Sequence, residues 1–282
     1  ASGSFPVTID TPAGRITIPK RPTRVISLSP TATEDLFAIG AGHQVIAVDD
    51  ESDYPASAPR TSLSGYTPNV EAIARYRPDL VVISSDPALV SSLGKLAIPV
   101  LYEPAAANLP GAYGEILQIG EATGQEGHSG ALVASMRAEV ARLVASAPQF
   151  AEPPSFFYEL SADPYYSATS STFIGSVLGL FHLRDIANAA KDAGSGYPEL
   201  SEEYILEADP QIIFLADTGA GNGGQTPATV AARPGWSGTA AVAHHDVVAL
   251  DADIASRWGP RIVDLIALVE KALWTYKHHT AK

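Results

Sequence analysis

Cysteine is missing from all 282 residues, which excludes disulfides, thiolate metal sites and cysteine nucleophiles but leaves the compartment open. Positive charge is scarce: 18 lysines and arginines stand against 31 acids, a net charge of −13. A nucleic-acid binder needs a basic stripe, and anionic lipid attracts basic clusters, so both partners are disfavoured. No apolar run approaches the ~20 residues that span a bilayer. The opening Ala1-Ser2-Gly3-Ser4 is polar and flexible, without a charged and apolar leader. The glycine-rich stretch Gly219–Gly224 lacks the Lys-Ser/Thr pair of a phosphate loop. Ser161 is not framed by the Gly-x-Ser-x-Gly of a nucleophile elbow. What is present is a globular chain, 46% hydrophobic and 17% charged, long enough for two domains with a core each.

One pattern occurs twice. Asn69-Val70-Glu71-Ala72-Ile73 runs on to Pro78-Asp79-Leu80-Val81-Val82-Ile83, and Ser201-Glu202-Glu203-Tyr204-Ile205 runs on to Pro210-Gln211-Ile212-Ile213-Phe214-Leu215, at a constant spacing of 132 residues. Each copy reads as a polar cap, a helix with an acid in its first turn, a proline break and a buried strand. Two similar lobes follow, each with one acidic knob, Glu71 and Glu203. Paired knobs suit a partner that is itself two-fold.

Strand and helix signals alternate on both sides of the middle, which predicts a parallel α/β sheet in each lobe. Residues 7–18 read as a hairpin around Pro12-Ala13-Gly14. Thr31 and Glu34 have the spacing of a capping box for the first helix, which Gly40 ends. Gly111 to Ala147 is helical throughout with a corner near Gly124–Gly127, and Leu132, Met136, Val140 and Val144 mark one face of the second half. That helix spans roughly 30 Å at ~1.5 Å per residue, a stiff bridge compared with a Gly/Ser linker. The expected organisation is an N-terminal α/β lobe over 1–123, a connecting helix over 124–147 and a C-terminal α/β lobe over 148–282. Pro260 opens a last helix that is expected to reach Leu273.

Open α/β sheets bind ligands beyond the carboxyl ends of their strands. That rule selects Ser29, Ser85 and Asp86 in the first lobe, and Tyr165, Asp217, Arg257 and Trp258 in the second. Tyr66 and Tyr197 lie five and six residues before the two knobs, and an aromatic from each lobe suits a large, flat or aromatic ligand.

In order and spacing, these segments resemble the substrate-binding proteins of ABC importers for ferric siderophores, haem and vitamin B12. The resemblance runs from Arg24-Val25-Ile26-Ser27-Leu28-Ser29-Pro30 through Asp53-Tyr54-Pro55, Asn69-Val70-Glu71, Thr172-Phe173-Ile174-Gly175 and Arg233-Pro234-Gly235-Trp236 to Arg257-Trp258-Gly259-Pro260-Arg261. It implies two Rossmann-like lobes of the periplasmic-binding-protein type joined by one long rigid helix, with an iron chelate held between them. It also implies that Glu71 and Glu203 dock onto arginines of a dimeric permease, with Glu202 the weaker candidate for the second knob. An exported monomer is expected, periplasmic or in the cell envelope, anchored by a lipidated Cys upstream of Ala1.

For cargo, a ferric siderophore or haem stands first and a corrinoid second. Tyr66 falls where haem carriers place a phenolate iron ligand, and either ligation or stacking suits it. Arg257 is the candidate cation for an anionic ligand. A bare metal ion is disfavoured, because His43, His128, His182, His244, His245, His278 and His279 all lie away from the strand ends. No intrinsic cofactor, metal or catalytic residue is expected. The remote enzyme alternative, a divalent-metal-dependent hydrolase, would rest on Asp49, Asp50, Glu51 and Asp53, which read more simply as a solvated acidic loop.

Overall fold

The computed structural model describes residues 4–221 and 223–280. Ala1–Gly3 of the polar start and Asn222 of the glycine-rich stretch lie outside the described residues. The chain divides into two compact units, Ala1–Ala106 with Pro110–Arg137, and Ala107–Leu109 with Ala138–Lys282.

The first unit opens with an antiparallel hairpin, β1 (Val7–Thr11) and β2 (Gly14–Ile18), in which Ile9 faces Ile16. Then come β3 (Val25–Leu28), α1 (Pro30–Ala38), β4 (Val45–Val48), α2 (Val70–Arg75), β5 (Leu80–Ile83), α3 (Ala88–Gly94), β6 (Val100–Tyr102), α4 (Leu109–Thr123) and α5 (Glu126–Ser146), of which α5 belongs to this unit as far as Arg137 and to the second from Ala138. Its sheet has the order β4-β3-β5-β6, all parallel. β3 and β5 are buried along their whole length, as a sheet covered on both faces requires. Ile26, Leu28, Ala47, Val81, Ile83 and Val100 of the strands pack with Ile73 of α2 and Leu93 of α3.

The second unit holds β7 (Ser155–Glu159), β8 (Ser161–Ala162), β9 (Tyr165–Tyr166), α6 (Phe173–Leu178), β10 (Arg184–Asp185), α7 (Glu202–Ala208), β11 (Ile212–Leu215), α8 (Pro227–Ala231), α9 (Ala240–Ala243), β12 (Val247–Ala249), α10 (Ala252–Ser256) and α11 (Ile262–Thr280). Its sheet runs β10-β7-β11-β12, again parallel, so both sheets follow one winding order. Phe157, Ile205, Ile213, Leu215, Val230 and Trp236 form its core.

The 132-residue spacing survives in atomic detail. The Asn69 side chain accepts the Ala72 amide at 2.9 Å and Ser201 accepts the Tyr204 amide at 3.1 Å, each capping its helix. Arg77 and Asp209, both just before the proline break, adopt left-handed backbone with φ of 50° and 45°. The next residue but one pins the neighbouring strand start: Asp79 accepts the Arg24 amide at 2.8 Å, and Gln211 accepts the Ser155 amide at 3.0 Å.

Four local expectations need correction. The first helix is capped by Ser29, which accepts the Ala32 amide at 3.3 Å with Pro30 at the first helical position, so Thr31 and Glu34 lie inside the helix and form no box across its start. The buried face of α5 runs through Ser129, Val133, Met136, Val140 and Leu143, leaving Leu132 and Val144 at its margin. The run 156–160 reads as a strand, but β7 begins and ends one residue earlier, which makes Glu159 its last residue and leaves Leu160 exposed. The last helix continues past Leu273 to Thr280, since nothing there breaks it and Tyr276 still packs edge-on to Phe150 at 5.7 Å.

Candidate functional site

In the first unit the loop before α2 is fastened from below. The Ser85 hydroxyl donates to the Gly65 carbonyl at 2.7 Å, and the Ser64 hydroxyl accepts the amides of Tyr66 and Thr67 at 3.2 and 3.0 Å. Gly65 lies so close to the end of β3 that a Cβ would come within 2.5 Å of the Leu28 carbonyl oxygen. Tyr66 therefore projects from a pinned loop, 79% exposed, and its phenol has no partner among the described residues. Asp86 is exposed just beyond β5, in left-handed backbone with φ of 52°.

Ser29 is buried and its hydroxyl is committed to the helix cap, which gives it a structural duty at this edge. Beneath it runs a chain of hydroxyls. Thr33 donates to Ser27 at 2.9 Å, its oxygen lies 2.8 Å from that of Ser52, and Ser52 donates to Asp49. The acidic run is thus not one solvated loop: Glu51 and Asp53 are exposed, but Asp49 is buried. Burial pushes its carboxyl up to about 6, while the Ser52 hydroxyl pulls the other way.

The second unit builds its edge from charges. Glu159, wholly buried, receives Nη1 and Nη2 of Arg233 on its two carboxylate oxygens, each at 2.7 Å. The same Nη2 donates to the Gln225 side-chain oxygen at 2.8 Å. The guanidinium lies over two rings, 4.7 Å from the Trp236 centroid and 5.3 Å from that of Tyr165. Asp217, just past β11, is buried, and neither of its carboxylate oxygens has a hydrogen-bond partner among the described residues. Burial first, and then the neighbouring Glu159 carboxylate, push it up to about 7. Arg257 is only 8% exposed and lies 3.7 Å from Asp253, so it is engaged within its own unit. Tyr197 is 48% exposed, whereas Tyr165 and Trp258 are half-buried.

Sequence reasoning missed Glu159, Arg233 and the buried role of Asp49. One signal was available: a glutamate closing the otherwise apolar run Phe156-Phe157-Tyr158 has to find a cation.

Of the acidic knobs, Glu71 and Glu203 are both exposed in the first turns of their helices. Glu202 differs, because its carboxylate accepts the indole N–H of the buried Trp236 at 2.8 Å. Among the described residues, no group of three or more His, Cys, Asp or Glu side chains is arranged to hold a metal ion, and no helix is long and apolar enough to cross a membrane.

The chain matches the periplasmic binding protein family over residues 25–254. It is 31% identical over 280 residues to the uncharacterized ABC transporter substrate-binding lipoprotein YvrC of Bacillus subtilis (strain 168), covering 96% of this chain and 86% of that protein. It is 31% identical over 277 residues to a cobalamin-binding protein of Halobacterium salinarum, covering 95% of this chain and 74% of that one. The fold is shared with the periplasmic heme-binding protein RhuT of Roseiflexus sp. RS-1 in its apo form, with a TM-score of 0.76 at 22% identity over 90% of this chain and 99% of that one.

Proposed function

The chain belongs to the periplasmic binding protein family, and from that premise we propose that it carries a corrinoid to an ABC permease. Membership makes it the substrate-binding component of an ABC transporter of the B12, haem and siderophore group, a carrier of a small molecule with a permease as partner. Nothing in its site calls for catalysis.

The choice of cargo rests on the charge of the strand-edge loops. They are acidic through Asp50, Glu51, Asp53, Asp86, Asp163 and Asp217, and their arginines are occupied: Arg60 donates to the Asp50 carbonyl, Arg233 to Glu159, and Arg257 lies against Asp253. A ring system with a neutral, amide-rich periphery meets such loops without repulsion. Haem, with two propionates, needs free cations there. The ligand contacts we assign are Tyr66, Ser85 and Asp86 in the first unit and Tyr165, Tyr197 and Trp258 in the second. Glu71 and Glu203 are the permease-docking acids. Export to the cell envelope as a lipid-anchored monomer completes the reading, in line with the lipoprotein named above.

A second reading keeps an iron chelate. The exposed, unpartnered phenol of Tyr66 is a hard oxygen donor suited to ferric iron. Calorimetric titration of the purified protein with cyanocobalamin, haemin and a ferric hydroxamate, with Tyr66→Phe in parallel, separates the two. Saturable one-to-one binding tightest for cyanocobalamin is expected. Tightest binding of haemin, with a charge-transfer band that Tyr66→Phe removes, overturns the corrinoid reading in favour of haem.

A further inference from the structure

We propose that Glu202 is a positioning residue for permease docking, which fastens the first turn of α7 to the core so that its neighbour Glu203 is presented in one orientation; this rests on the docking role given to Glu203. A glutamate in the first turn of a helix has a plainer explanation, the favourable interaction of any acid with the amides there. That interaction does not need a fixed rotamer. Here the carboxylate is fixed, because it accepts the N–H of Trp236 at 2.8 Å and Trp236 is fully buried. A buried indole N–H without an acceptor is costly, so the pairing constrains both partners.

The anchor continues inward. Trp236 carries the Arg233 guanidinium on its face at 4.7 Å, Arg233 holds both oxygens of Glu159 at 2.7 Å, and Glu159 closes β7. Phe157 and Tyr165 pack against the same indole, with ring centroids at 6.3 and 5.5 Å. The first turn of α7 is thereby tied, through two side chains, to the carboxyl end of the central strand of its sheet.

Among the described residues the first unit has no such tie. At the 132-residue spacing Val70 stands where Glu202 does, whereas Trp236 lies in the longer segment between β11 and β12, to which that spacing does not extend. The valine side chain cannot accept a hydrogen bond, and α2 is held at its start by the Asn69 cap. Two docking helices that match in backbone are thus supported differently, and only the second couples its acid to the edge where cargo is held.

The test uses the whole protein with Glu202→Gln, Glu202→Ala, Trp236→Phe and, as reference, Glu203→Ala. Two readouts are taken: the concentration dependence of ATPase stimulation in liposomes bearing its permease, and amide hydrogen exchange across residues 202–208. Glu202→Ala is expected to raise the half-saturating concentration about tenfold, as for one lost charge-assisted bond, at unchanged maximal rate, and to speed exchange at Tyr204 and Ile205. Glu202→Gln keeps an acceptor oxygen and should stay within about twofold on both measures. Trp236→Phe keeps an aromatic ring but loses the N–H and part of the buried indole volume, so its exchange should be at least as fast as in Glu202→Ala. Equal loss in Gln and Ala would make Glu202 a docking charge and overturn the proposal, as would unchanged exchange in Glu202→Ala. A null effect of Glu203→Ala on half-saturation would instead refute the docking role itself, and the exchange data would still decide whether Glu202 holds the turn.

Discussion

Replacing Arg233 with methionine should be among the most damaging single changes in the second unit, and its pH dependence carries the reasoning. Glu159 is wholly buried and both its oxygens are bonded to Arg233 at 2.7 Å. Two charge-assisted bonds at about 1.5–3 kcal/mol each, or the loss measured when one partner of a buried pair is removed, about 3–5 kcal/mol, lead to the same figure, ~4 kcal/mol. Tryptophan fluorescence in urea reads this unit selectively, because Trp236, Trp258 and Trp274 all belong to it. With a urea slope of about 1–3 kcal/mol/M, the midpoint should fall by roughly 1.5–4 M at pH 8. The carboxylate left behind can relieve its burial by taking up a proton, so the deficit should shrink markedly at pH 5. Converting the pair together, Arg233→Met with Glu159→Leu, removes both charges and should recover most of the loss. A deficit below about 1 kcal/mol at pH 8, within the range of exposed pairs, would refute this account. So would a deficit as large at pH 5, since both outcomes mean that Glu159 finds water or another partner.

Three further outcomes are expected. Burial, aided by Glu115 and Asp35, pushes the Glu103 carboxyl up to about 9, so the folded state keeps a proton that the unfolded chain releases near pH 4–5; stability from this group is full below that pH and is lost as pH rises toward 9, and Glu103→Gln should make the protein about 1–3 kcal/mol more stable than the parent at pH 9 while matching it at pH 4, as thermal melts across pH will record. Gly65→Ala should cost about 1–3 kcal/mol through overpacking, since the new methyl meets the Leu28 carbonyl oxygen at 2.5 Å, and should weaken cargo binding by displacing Tyr66; equal stability and affinity in calorimetry would contradict the close approach. Glu71→Ala combined with Glu203→Ala should leave cargo affinity intact and stop uptake in cells, where normal uptake would remove both acids from the docking surface.

The fold was readable because it is written in short-range terms. The caps Asn69 and Ser201, the prolines at 78 and 210 and the apolar runs after them each act within a few residues, and the parallel sheets follow from their alternation. The errors were also local ones, where two signals competed: Ser29 with Pro30 outbid Thr31 with Glu34 as a helix start, because a proline at the first helical position fixes the register. The chemistry of the edges was less legible. Glu159 and Arg233 are 74 residues apart, and no pattern of spacing couples them. Asp49 looked like one of four surface acids, and only its packing beneath Gly65 and its bond from Ser52 set it apart. Arg257 drew attention as a cation near a strand end, while the arginine that organises the edge sat in a loop after α8.

That contrast separates two kinds of resemblance within one chain. The repeat preserves what the backbone needs: a cap, a left-handed residue before proline, and a side chain that pins the neighbouring strand, which is a carboxylate at Asp79 and an amide at Gln211. An amide does that work as well as a carboxylate, so the pin tolerates the exchange. The strand edges carry no such shared constraint, and there the two halves are built differently. One holds its edge with neutral hydroxyls that end on Asp49; the other uses a buried ion pair with a further buried carboxylate, Asp217, close to Glu159. Protonation of Asp217 near pH 7 would change the charge of the second edge, while Asp49 of the first edge follows nearer pH 6. Cargo affinity should therefore shift between pH 7 and 8 in the parent protein and much less in Asp217→Asn, where the change left to Asp49 falls nearer pH 6. An identical pH profile in the two would mean that this carboxylate does not face the cargo.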